Sequence, residues 1–365
     1  MKINSWHVLV ILFLANFSFA GSLEDLTAKA NRGDVGAQFD LGVMYDKGNG
    51  VPQDYKQAVD WYAKAATQGD ARAQFALAIK YYSGKGVLPD YQQAISWYTK
   101  AADQGHARAQ YNLGVLYGKG EGVAKDEKQA LNWYSKAAAQ GDAYAQGSLG
   151  YIYYSGEGVL QDYKQAFDWF AKAAAQGNVL AQFNLGIMYS DGRGAPQDDK
   201  QAVNWYTKAA SQGNANAQYN LGVMYFNGKG VPRDYKQSFN LYMKAATQGH
   251  AGAQFNLGVV YSKGEGVAQD YEQAINWYSK AAVQGHAGAQ LNLGVIFFNG
   301  VGVPQDYKQA YVLNSLAAAS GDADIAATAA KNRAICEQKL TPEILLEAQQ
   351  KAKELFNKIE ANKKL

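Results

Sequence analysis

AQYNLGVLYGKGEGVAKDEKQALNWYSKAAAQGDA, residues 109–143, reads as two helices joined by a glycine turn. With Ala109 as position 1, Leu113 and Tyr117 follow at i+4 and i+8, which places all three on one face of a first helix. Gly114 beside them removes a side chain, so a second helix can approach closely there. Asp126 then reads as the N-cap of that second helix, whose inner stripe is Ala130, Trp133, Tyr134 and Ala137. Gly141 closes it as a left-handed C-cap, and Asp142 caps the next first helix.

The glycines at 118, 120 and 122, ahead of Lys125 and Asp126, could also be read as a phosphate cradle. A phosphate loop of that kind links a strand to a helix, whereas this one links two helices. It also recurs. The stretch is one of eight copies of a 36-residue unit without insertion or deletion: 37–72, 73–108, 109–144, 145–180, 181–216, 217–252, 253–288 and 289–324. The capping aspartate returns in every copy, from Asp54 to Asp306, and so do the two loop glycines, from Gly48 and Gly50 to Gly300 and Gly302. A residue type needed once per unit is needed by the fold, and the glycines are expected to supply positive φ in a tight turn. Repetition at this period predicts an all-α chain of stacked helical hairpins.

The remainder reads as a leader and two caps. Residues 1–20 have the layout of a secretory signal peptide: Lys2, an apolar run from Val8 to Leu14, and small residues at Ser18 and Ala20. That run is shorter than the roughly 20 residues a bilayer span requires, so export without stable membrane insertion is expected, to the periplasm or outside the cell. Residues 21–36 are expected to form an N-terminal capping helix and 325–365 C-terminal capping helices. Thr341 is expected as an N-cap, with Pro342 at the first helical position.

Composition narrows the function. Formal charge is +3 and charged residues make up 18% of the chain, which gives no electrostatic footprint for nucleic acid. Cys336 is the one cysteine, so no intrachain disulfide is possible, and it reads as a small half-buried apolar residue. His106, His250 and His286 each fall where other units carry a capping Asp or Asn, and read as caps rather than metal ligands. No HExxH, GxSxG or Cys/His nucleophile arrangement is present. The reading is therefore of a non-enzymatic protein with no catalytic residues, no metal and no cofactor, expected to be a monomer.

The pattern resembles the Sel-like repeat family, short helical-hairpin repeats akin to tetratricopeptide repeats. The resemblance rests on LG, the GxGV loop, the QA…WY…KAA run and QG, recurring in register. It implies a right-handed α/α superhelical solenoid and a role in holding other proteins together, in exported bacterial members often in envelope processes or contact with host cells, as in virulence. An exported branch of the family carries cysteine pairs and has been linked to penicillin binding or β-lactam hydrolysis. This chain lacks those pairs, so a cell-wall or β-lactam-acting enzyme stands only as the alternative. In the eighth unit Leu313 and Asn314 replace the aromatics of the second helix, as suits a terminal repeat.

Variation between units marks a candidate partner-binding groove. Position 36 of one unit and positions 3, 7 and 10 of the next share a stripe on the first helix, and first helices line the concave face of such solenoids. The stripe reads Arg72, Phe75, Ile79 and Tyr82, then Arg108, Tyr111, Val115 and Gly118, then Tyr144, Gly147, Tyr151 and Tyr154. Arg72, Phe75, Tyr82, Arg108, Tyr111, Tyr144, Tyr151 and Tyr154 are the expected contacts for a protein or peptide. Tyrosine and arginine combine apolar area with hydrogen-bond donors. The arginines suggest a partner segment acidic at one end and apolar at the other.

Overall fold

The computed structural model of the protein describes residues 23–362. The 1–20 signal segment lies outside the described residues. All regular structure among those described is helical. The chain divides into two compact units, one ending at Asn178 and the other starting at Val179.

The N-terminal unit opens with helical residues 23–31 and continues with four hairpins. These are Val35–Lys47 with Tyr55–Thr67, Ala71–Ser83 with Tyr91–Asp103, Ala107–Lys119 with Glu127–Ala139, and Ala143–Ser155 with Tyr163–Ala175. The C-terminal unit repeats the arrangement as Val179–Asp191 with Asp199–Ser211, Ala215–Asn227 with Tyr235–Thr247, Ala251–Lys263 with Tyr271–Ala282, and Ala287–Asn299 with Tyr307–Ala318. It ends in helices Ala323–Glu337 and Pro342–Asn362. Within each unit, consecutive helices pack on each other.

The repeated residues do what their spacing demands. Ala109 and Leu113 are fully buried, and Gly114 lies so close to the Tyr134 ring that a Cβ there would fall 2.6 Å from it. Every capping aspartate of a second helix accepts the backbone N–H three residues on; Asp126 takes that of Gln129 at 2.9 Å. The histidines cap as well, Nδ1 of His106, His250 and His286 accepting the N–H of Ala109, Ala253 and Ala289 at 3.1–3.2 Å. Gly122 has φ +75°, as its turn requires, and a Cβ there would also sit 2.4 Å from Cβ of Tyr91 on the preceding hairpin. The loop glycine is thus a point of contact between repeats as well as a turn residue.

A glutamine ladder joins the hairpins. Gln74, 4% exposed, donates to the Ala66 carbonyl of the preceding second helix at 3.1 Å, and its own Oε1 accepts from Gln104 at 2.8 Å. Gln38 with Gln68 and Gln110 with Gln140 repeat the arrangement in this unit, as do Gln218 with Gln248 and Gln254 with Gln284 in the other. On the second helices a lysine sits over the tryptophan three residues before it, Lys136 lying 4.0 Å from the Trp133 ring.

At the C-terminus the expectation for Cys336 is corrected: it is fully buried, not half-buried. It packs with Tyr311 and Val312 against Ala348 and Ala352, and burial pushes its thiol up to about 11. The last helix starts at Pro342, and Thr341 Oγ accepts the Ile344 N–H at 3.4 Å.

Candidate partner-binding face of the first helices

In the N-terminal unit the first helices bring the sequence-selected residues into two clusters. One is built on Arg108. Its guanidinium lies 4.3 Å from the centre of the Tyr144 ring and 5.7 Å from that of Tyr111, and its Nε is 3.6 Å from the Asp142 carboxylate. Tyr111 and Tyr144 are 5.9 Å apart at an interplanar angle of 49°. Tyr144 is 53% exposed, and Tyr151, two turns along the same helix, is 55% exposed, so both offer ring surface to a partner. Gly147 lies between them, and a Cβ there would be in ordinary contact with Asn178.

The second cluster surrounds Arg72. Its Nε and Nη2 both reach Asp70, at 3.2 and 2.7 Å, and its guanidinium lies 4.4 Å from the centre of the Phe39 ring. Phe75 stacks on His106 at 4.5 Å. Burial holds the His106 imidazole below its ordinary pKa, and the charge of Arg108 adds to that in a smaller way. The neutral ring is the form able to cap with Nδ1.

Four of the expected aromatic side chains have intramolecular partners that the helical spacing does not reveal. Tyr111 tilts against Tyr134 at 5.8 Å, and Phe75 tilts against Tyr98 at the same distance. Position 3 thus lays one ring face on the hairpin's own second helix. Tyr82 packs edge-on against Tyr91 at 5.4 Å and donates its hydroxyl to Glu121 at 2.8 Å. Tyr154 meets Tyr163 in the same edge-on way at 5.4 Å. The two arginines, expected as cations for an acidic segment, already face the capping carboxylates Asp70 and Asp142.

A group that sequence reasoning passed over lies beside the second cluster. Lys80 is 4% exposed and pairs with Asp46 of the first repeat. The Tyr62 hydroxyl is 3.4 Å from Asp46, and burial together with that carboxylate drives its pKa upward. The signal was legible: at position 8 the other seven units carry Met, Leu, Ile or Val. Among the described residues, no three His, Cys, Asp or Glu side chains gather as a metal site, and no helix is long and apolar enough to cross a membrane.

Hairpins of equal length, capped alike and stacked in register define an α/α solenoid repeat protein. The Sel1 repeat model matches eight consecutive segments: residues 35–70, 71–106, 107–142, 143–178, 179–214, 215–250, 251–286 and 287–322. Each begins two residues before the frames set on Ala37 and its equivalents, with the same period. A solved Sel1 repeat protein from Oxalobacter formigenes is 35% identical, covering 86% of this chain and 91% of its own, with a TM-score of 0.61. A protective antigen of uropathogenic Escherichia coli strains, of SLR fold, is 33% identical, covering 92% of this chain and 86% of its own, with a TM-score of 0.49. No curated protein matches the chain. The protein belongs to the Sel1 repeat family, whose members are generally protein-interaction scaffolds.

Proposed function

We propose that the protein is an exported interaction scaffold that captures a protein or peptide segment along the first helices of its N-terminal unit, in envelope processes or at the host-cell surface. The observation that carries the reading is the Arg108, Tyr111 and Tyr144 cluster, continued by exposed Tyr151, in a chain whose repeats are otherwise nearly uniform. Aromatic rings held by an arginine bring large contact area at small cost in conformational entropy, the usual make-up of binding hot spots. Support for export is the charged, apolar and small-residue order of residues 1–20.

A photo-crosslinking amino acid placed at Tyr151, and in parallel at Lys164 on a second helix, tests capture in the native cell. One recurrent protein adduct from position 151 and none from 164 is expected. Equal labelling at both positions would remove the assignment. Fractionation of the same cells tests export, and protein retained wholly in the cytosol would count against it.

A further inference from the structure

The junction of the first and second repeats departs from the others at three aligned positions. Position 8 of the second repeat is Lys80, where the rest are apolar. Position 10 of the first is Asp46, where the rest are aromatic, serine or glycine. Position 4 of the second is Ala76, where the rest are Asn, Ser or Asp.

The three changes meet in space. Asparagine at position 4 bonds the tyrosine hydroxyl of the preceding repeat, as Asn292 does to Tyr278 at 3.2 Å. Ala76 cannot do so for Tyr62, whose hydroxyl lies by Asp46 instead. A cavity of about 250 Å³ opens on these groups. Phe39, Phe75 and Ile79 form its apolar lining, and Arg72 and His106 stand at the same cavity.

Stability does not account for the ion pair. Burying two charges costs several kcal/mol of desolvation per ion, and an apolar replacement of similar volume is commonly as stable or more so. Seven registers of this same chain fold with an apolar residue where Lys80 stands. The donor inventory points to a ligand. Lys80 carries three N–H groups; its hydrogen bond to Asp46 takes one, and the ammonium also lies 4.8 Å from the centre of the Tyr55 ring. Arg72 uses Nε and Nη2 on Asp70 and keeps further donors. Because His106 Nδ1 accepts the Ala109 N–H, its proton sits on Nε2, a donor. Asp46 is the one carboxylate among the described residues lining the cavity, and Asp70, which holds Arg72, stands behind that guanidinium. Donors exceed acceptors, so an anion complements the polar side, and the rings opposite complement an apolar group.

We propose that this cavity is an anchor pocket for a partner peptide segment in which an acidic residue adjoins a large apolar one. The carboxylate meets Lys80 and Arg72, and the apolar side chain rests against exposed Ile79 and the parts of Phe39 and Phe75 that line the cavity. The proposal rests on the reading of the first-helix face as the site of capture.

A randomised octapeptide array probed with the wild-type protein should enrich peptides in which Asp or Glu neighbours Phe, Tyr, Leu or Ile. The double variant Asp46→Ser, Lys80→Met reproduces the Ser190 and Met224 pair of a later junction. It should keep or raise the thermal midpoint and weaken the enriched peptides about tenfold, the loss typical of a central anchor. Arg72→Gln, on an exposed side chain at a position that varies from repeat to repeat, should weaken them severalfold. Unchanged affinity in both variants, or enrichment without an acidic and apolar pair, overturns the pocket. Loss of binding in Tyr151→Ala alone would dismiss the pocket while leaving capture along the first helices intact. No peptide retained by the wild-type protein would remove both.

Discussion

Three histidines occupy a position where a neutral ring is required. His106, His250 and His286 cap first helices through Nδ1, and burial lowers the pKa of each. The unfolded chain titrates near the ordinary histidine value of about 6.5 and takes up protons before the folded chain does. The stabilisation is therefore complete above that value and lost as pH falls below it, toward the lowered folded value. The thermal midpoint should drop between pH 7 and pH 5, and the triple variant with asparagine at all three positions, as at Asn214, should flatten that slope. An unaltered slope in the variant would assign it to other groups. The loop glycines offer a second test: Gly122→Ala forces an alanine to positive φ and into Tyr91, so more than about 1 kcal/mol of stability should be lost in urea denaturation.

Between elements, the glutamine ladder is where the hairpins hold one another by polar contact. Gln104→Ala removes the donor to buried Gln74 Oε1, and with it the bond to the Gly69 carbonyl, without touching the core, and leaving the buried acceptor unpaired costs about 1–3 kcal/mol. Loss of that size, matched by the equivalent Gln140→Ala, is expected in denaturant titrations. Gln104 was legible only as part of a recurrent QG, because the alignment shows that the residue is required but not that its partner lies 30 residues back. The edge-on Tyr82 and Tyr91 pair was hidden for the same reason. Helical spacing gives the face a side chain occupies and says nothing of which way its χ angles turn it within that face.

For the molecule as a stack of hairpins, stability is expected to be local, each repeat resting on its neighbours alone. Deleting residues 109–144 in full should leave a shorter folded chain, because the deletion rejoins equivalent points of the repeat. Deleting 109–126 should unfold the flanking hairpins, since it sets a second helix where a first helix must stack. Circular dichroism distinguishes the two, and equal loss of helicity would refute the boundaries. Partner capture follows the same logic. Tyr151→Ala should lower affinity by about 2 kcal/mol with little change in thermal midpoint, while Leu149→Ala, fully within the core, should lower the midpoint instead.

Periodicity sufficed for the helices, their caps, the buried Ala and Leu stripe, the close approach at Gly114 and the family, because each is a local demand that returns in seven or all eight of the units and is thus read many times over. Pairing across hairpins was a matter for the tertiary structure alone. It placed Asp46 against Lys80, turned Arg72 and Arg108 onto capping carboxylates, and set Gly122 on Tyr91. All but the Arg72 and Asp70 pair join residues about one repeat apart, and the energies of all depend on burial and side-chain direction, neither of which a register of residue types contains.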